Sequence, residues 1–225
     1  MNKKSPAYVL GFMAAICLVF GTGIAIVNYA TQGLLAKNAV MHHNQVLCRA
    51  FDLPVEGNTA EAYQQAVDQH LAADNLDGRV IYRQTTPDLE RVGFIFSGLG
   101  FWDRIEGVMV LSSDLETVHN LQFLDQKETP GLGARIEEAW FTDQFKGLRV
   151  DWADPGRARV IVGASPDPAA RNRVDAITGA TQTSMALGRF LSEELDRFRD
   201  AYLAATPPPP ASSPDESDQP PPHPP

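Results

Sequence analysis

From Tyr8 to Ala30 the chain runs for 23 residues without a charged side chain, "YVLGFMAAICLVFGTGIAIVNYA". Coiled as a helix at ~1.5 Å per residue, such a stretch reaches about 34 Å, enough to cross a hydrocarbon core of about 30 Å. A cleaved signal peptide is the competing reading. The run is longer than a signal h-region, however, and no A-x-A site follows it, so an uncleaved anchor over residues 1–30 is expected. Lys3 and Lys4 precede the span, and only Lys37 and Arg49 follow it closely. That bias favours an inside N-terminus and an outside domain. In a bacterium this means a single-pass protein of the inner membrane with its C-terminal domain in the periplasm.

Everything beyond the span must be built from what is left of 225 residues, which allows one globular domain plus appendages. The net charge of −9 and pI near 5.0 argue against nucleic acid, which calls for clustered Lys and Arg. Cys17 and Cys48 are the two cysteines. One lies in the span and the other just past it, so a disulfide between them is implausible.

Residues 31–77 read as membrane-proximal helices. The first continues outward from the span and is expected to stop at Pro54. The second starts at Asn58, with Glu61 three residues on in a capping-box pattern, and Tyr63, Val67 and Leu71 follow at helical spacing. From Arg79 the period shifts toward two. "RVIYRQ", "VGFIFSG", "IEGVMVLSSDLETVHNLQFLD", "LRVDWAD" and "RARVIVGA" are strand candidates, with Ser113–Glu116 as a hairpin loop. Leu187, Leu191, Leu195, Phe198 and Tyr202 then mark one face of a final helix beginning near Thr181 to Met185. The expected fold is α+β, a largely antiparallel sheet flanked by helices with one N-terminal transmembrane helix. The domain proper is placed at 78–205. Residues 206–225, "TPPPPASSPDESDQPPPHPP", have no apolar side chain larger than Ala and read as a disordered or polyproline-like extension.

Several chemistries lack their signatures. "GLGFWD" at Gly98 has Asp103 at the third glycine position of a dinucleotide fingerprint, and "GATQTS" lacks the Gly-Lys pair of a P-loop. No G-x-S-x-G elbow and no C-x-x-C occurs. His42 and His43 with Cys48 do not complete a metal site, since adjacent histidines face different sides of a helix. No catalytic or metal-ligating residue is assigned.

Two stretches stand out together. "DAITGATQTS", from Asp175 to Ser184, puts Gly179 and Ala180 in a small turn beside four hydroxyls, those of Thr178, Thr181, Thr183 and Ser184, at a helix start, a corner suited to a phosphate. "ETPGLG" puts Pro130 beside Gly131 and Gly133 in a rigid turn. Each alone is an ordinary cap or loop; their joint occurrence about fifty residues apart, beyond a single span, is specific.

The pair resembles the FMN-binding domain family that includes the NqrC component of the sodium-translocating NADH:quinone reductase and the RnfG component of the Rnf complex. The family motif Asp-x-x-Ser/Thr-Gly-Ala-Thr is matched at Asp175, Thr178, Gly179, Ala180 and Thr181. Its Glu-Thr-Pro-Gly-Leu-Gly loop is matched at Glu128, Thr129, Pro130, Gly131, Leu132 and Gly133. The resemblance implies covalent FMN, phosphoester-linked to Thr181, with the second loop against the flavin. "SGLGFWDRIEGVMVL" leans toward the sodium-pump component. For the flat apolar slot that a flavin ring needs, Leu132, Pro130 and Trp102 are the candidates. Glu128 and Thr129 are candidates to hydrogen-bond its polar edge or ribityl chain, and Asp175 to tune potential or assist attachment. The expected partners are integral membrane subunits of a respiratory complex and, during maturation, a flavin transferase that donates FMN from FAD with Mg²⁺. Two other readings stay open: a flavin-free assembly module in which Thr181 is only a cap, and a stand-alone FMN-dependent reductase.

Overall fold

The computed structural model describes residues 6–205 apart from 87, 88, 155, 166 and 168. Lys3, Lys4 and the proline-rich segment 206–225 lie outside the described residues. The chain divides into two compact units between Gln69 and His70.

The first unit is two helices. α1 runs from Pro6 to Ala50 and contains the charge-free span; no residue of that span is buried, and the helix is long and apolar enough to cross a membrane. It ends at Ala50, earlier than Pro54, because the chain turns at Asp52, whose φ is +53°. α2 spans Ala60–His70. Its cap is Thr59, whose hydroxyl accepts from the Ala62 N–H at 3.2 Å, rather than Asn58, whose side chain takes the Tyr63 hydroxyl at 2.9 Å. Asn44 on α1 donates to Gln64 on α2 at 2.7 Å.

The second unit is α+β. Five strands, β1 (Ala72–Leu76), β2 (Arg79–Thr86), β3 (Leu89–Leu99), β4 (Arg104–Ser112) and β5 (Val118–Asp125), form an antiparallel sheet in sequence order. Alternation decides which side is the core: Val92, Phe94 and Phe96 of β3 stand opposite Leu111, Met109 and Gly107 of β4, and all the apolar side chains of this set are buried. The hairpin between β4 and β5 closes where expected, the Leu115 N–H donating to Ser112 O at 2.9 Å.

β1 precedes the first strand candidate read from sequence. Of the two late candidates, "LRVDWAD" contributes one isolated bridge, between Arg149 and Thr117. "RARVIVGA" shrinks to β6 (Ile161–Val162), which pairs with β7 (Arg173–Val174) in a parallel two-stranded piece. Between β5 and β6 lie two 3₁₀ turns, Gly133–Glu137 and Asp143–Phe145, around the short α3 (Ala139–Thr142).

α4 (Thr181–Ala205) closes the core. Leu187, Leu191, Leu195, Phe198 and Tyr202, the predicted stripe, are all buried. Phe198 stacks on Phe94, and Phe190 meets Phe96 with ring centroids 6.1 Å apart. Glu194, also buried, pairs with Arg79 of β2 at 2.6 Å and with Arg197 at 2.7 Å. The helix is therefore fixed along its length, and its first residue is set by the packing of the whole.

Candidate functional site

Three segments meet at the start of α4. The parallel strand β7 delivers the chain into Asp175–Ala180, and the turn is made by Gly179 at φ +81°, a conformation that L side chains avoid. A Cβ there would also sit 3.1 Å from Leu132 Cδ2, which brings the Pro130–Gly133 turn beside the threonine turn. The third segment is the loop after β3, Gly100–Asp103, which carries Phe101 and Trp102.

The four hydroxyls of "DAITGATQTS" divide into two pairs. Thr178 and Thr181 are exposed. Thr183 and Ser184 are buried and used inside the protein: the Thr183 hydroxyl donates to Glu128 Oε2 at 2.7 Å, and Ser184 Oγ accepts from the Ile177 N–H at 3.1 Å. The Ser184 N–H makes the first helical bond, to Ala180 O at 3.0 Å. The N–H groups of Thr181, Gln182 and Thr183 precede that bond and have no intrahelical acceptor. An exposed hydroxyl at Thr181 thus stands where donors and the positive end of the helix dipole converge. That setting stabilises an anion by about 0.3–1 kcal/mol, more where partly buried.

Asp175 is turned outward. Its carboxylate takes Arg173 Nη2 at 2.8 Å and its N–H donates to Gln144 Oε1 at 2.8 Å. In the neighbouring turn, Thr129, Pro130, Gly131 and Leu132 are exposed and Gly133 is buried. The Leu132 and Ala134 N–H groups both donate to Thr129 O, at 3.1 and 3.2 Å, which makes the turn rigid. The Trp102 indole N–H donates to Thr129 Oγ1 at 2.9 Å and joins the aromatic loop to it.

The two loops beside the threonine turn expose large apolar side chains. Trp102 is 65% exposed, Phe101 53% and Leu132 43%. Phe101, absent from the residues singled out in sequence, meets Trp102 edge-to-face with centroids 5.0 Å apart. Its signal in the sequence is its place in the "SGLGFWDRIEGVMVL" stretch, next to Trp102. Trp140 is exposed too, with the Arg135 guanidinium 5.2 Å from its ring centroid and its indole N–H on Glu138. The Glu138 carboxyl is held below the usual carboxylate range by the Arg135 and Trp140 donors. Asp103 is held low as well, first by the Arg104 N–H and then by Lys127. Glu128 is buried, and both its oxygens are turned to protein donors.

A phosphate-bearing ligand with a flat aromatic ring fits these residues. The exposed hydroxyl and the helix-start N–H groups would suit the phosphate, and Trp102, Phe101 and Leu132 would offer apolar area for the ring.

Comparison with known proteins points the same way. Residues 100–195 match the model of the FMN-binding domain. The NqrC component of the Na(+)-translocating NADH-quinone reductase of Pasteurella multocida is 38% identical over 89 residues, 40% of this chain and 34% of that protein. Its counterpart in Pseudomonas aeruginosa is 35% identical over 112 residues, 48% of this chain and 42% of that one. The Vibrio campbellii counterpart is 27% identical over 145 residues, 57% and 55% respectively. The chain thus spans between a third and just over half the length of these relatives. In shape it is similar to the same component from Parabacteroides distasonis, with a TM-score of 0.65 at 20% identity over 76% of this chain and 96% of that one. NqrC of Shewanella oneidensis gives 0.61 at 16% identity, over 75% and 99%. These two likenesses concern the fold. With the glycine turn, the proline loop and the tryptophan loop all inside the matched segment, the chain resembles the FMN-binding domain family across residues 100–195 and has the fold of the NqrC component of the sodium-translocating NADH:quinone reductase.

Proposed function

We propose that this chain is a membrane-anchored electron-transfer protein with FMN held on Thr181 through a phosphoester, within a multisubunit respiratory complex of the sodium-pump or Rnf type. The observation that carries the reading is the exposed Thr181 hydroxyl at the N-terminus of α4, next to the Pro130–Gly133 turn. FMN, when bound, supplies the redox chemistry. The protein's part is to hold and to shelter. The N–H groups of Thr181, Gln182 and Thr183 offset the phosphate charge. Gly179 keeps the approach to Thr181 open, and Pro130 stiffens the facing turn. Trp102, Phe101 and Leu132 give the ring an apolar wall and exclude water from one side. No side chain is assigned a proton-transfer role.

The apolar helix α1 supports membrane anchoring, and the two lysines ahead of the span support a periplasmic domain. The partners implied are other integral membrane subunits and a flavin transferase that loads Thr181. A covalent tether keeps the flavin at fixed local concentration however weak the slot is.

Intact mass of the native protein tests this: an addition of about 438 Da, FMN less water, on the Thr181 peptide is expected. An unmodified Thr181 in protein co-expressed with an active transferase would sink it and favour a flavin-free assembly role. Purification together with several integral membrane subunits separates the relay from a stand-alone reductase.

A further inference from the structure

Glu128 is a buried carboxylate, 4% exposed, on which two distant parts of the site converge. Its Oε1 accepts from the N–H groups of Phe101 at 2.8 Å and Trp102 at 3.0 Å, and its Oε2 from the Thr183 hydroxyl at 2.7 Å. These donors lie 27, 26 and 55 residues away in sequence. Gly133 permits the meeting: a Cβ there would fall 2.6 Å from Thr183 Oγ1 and 2.8 Å from Glu128 Oε2.

We propose that Glu128 is a positioning residue that ties the Phe101–Trp102 loop to the first turn of α4, so that the aromatic wall and the Thr181 hydroxyl are held in one register. The proposal rests on the reading of Thr181 as the flavin anchor. An acceptor-only group suits the place, because three donors face it. With both oxygens engaged inside the protein, the carboxylate acts on a ligand through Trp102 and α4. Cutting the tie loosens the aromatic loop, which keeps the Trp102 indole bond to Thr129, and leaves the Thr181 hydroxyl where it is. Attachment of a ligand and immobilisation of its ring are then separable properties.

The substitutions Glu128→Ala, Glu128→Gln and Thr183→Val in the full-length protein test this. A glutamine can keep Oε1 on the two backbone N–H groups and turn its NH₂ to the Thr183 oxygen, so it should rescue what alanine destroys. In protein made without a flavin transferase, amide hydrogen exchange of the 99–104 peptide is expected to accelerate at least about tenfold in Glu128→Ala. In Glu128→Gln it should stay within about threefold of the wild type. In protein loaded with flavin, fluorescence anisotropy per attached FMN is expected to fall in Thr183→Val, which removes a single hydroxyl and remains informative if Glu128→Ala does not fold. Wild-type exchange in Glu128→Ala, failure of glutamine to restore it, or unchanged anisotropy in Thr183→Val would overturn the proposal. A wild-type protein without added mass overturns the flavin reading instead, and the exchange experiment still decides the tie.

Discussion

The ring of Phe94 on β3 lies almost flat on that of Phe198 on α4, with centroids 4.3 Å apart and planes 12° from parallel. Both side chains are fully enclosed, and the contact fixes the height of α4 over the sheet. Phe198→Ala removes this contact and leaves a cavity, at an expected cost of about 3–5 kcal/mol. Denaturant unfolding measures it. A loss under about 1 kcal/mol would mean that α4 is seated by something else.

Arg159 shows how a polar group is used inside the same unit. Its side chain is 6% exposed, meets Asp196 of α4 at 2.6 Å, and donates to the carbonyls of Asp151 and Asp154 at 2.9 and 2.8 Å. Arg159→Met is expected to destabilise by about 1–3 kcal/mol, since the Asp151 carbonyl and the Asp196 carboxylate lose the guanidinium donor while Asp154 O keeps the Arg157 N–H. Arg159→Lys should recover only part of this, because one ammonium does not reproduce the guanidinium fork. Equal stability of the lysine and arginine proteins in urea would count against the account.

Gly179 holds φ at +81° against Leu132. Gly179→Ala should cost about 1–2 kcal/mol from backbone strain alone. Because the strain falls two residues before Thr181, we also expect lower flavin occupancy at that residue by mass spectrometry. Wild-type occupancy together with wild-type stability would show that the turn tolerates a side chain.

Acid should act on the aromatic loop late. The Asp103 carboxyl accepts from the Arg104 N–H at 2.7 Å and faces Lys127 at 3.6 Å, with Asp125 sharing that lysine, and these donors lower its pKa. A carboxylate depressed in the folded state contributes stability above its unfolded pKa and loses it as pH falls through the folded one. The Arg104 amide resonance should therefore hold its position through the ordinary carboxylate range and move only below it. Asp103→Asn should abolish that movement. A midpoint at or above the usual aspartate value would contradict the structure.

The Thr181 hydroxyl itself can be varied. Thr181→Ser keeps an oxygen at the helix start and should retain some covalent flavin, whereas Thr181→Ala should retain none. Flavin fluorescence of the band after denaturing electrophoresis reads the difference. Fluorescence persisting in the alanine protein would move the attachment elsewhere.

Residue order alone is enough for the elements whose side chains repeat with a fixed period. The stripe from Leu187 to Tyr202 and the β4–β5 hairpin are legible because burial of one face imposes a periodicity of 3.6 or 2 on neighbouring residues, and the charge-free span because 23 uncharged residues in a row are legible without any period. The two short segments that meet at the start of α4 are legible for another reason, since small residues and hydroxyls at a helix start have a local physical meaning. β1 was not legible: Ala72 to Asn75 are exposed and only Leu76 is buried, so no alternation marks it. The parallel pairing of two-residue strands was equally hidden, because strands that short carry no period. The division of the hydroxyls, with Thr181 open and Thr183 turned inward, and the destination of Glu128 emerge only when the chain is folded. Those outcomes depend on donors that approach from 26 to 55 residues away, and chain-distant hydrogen bonds leave no trace in local spacing.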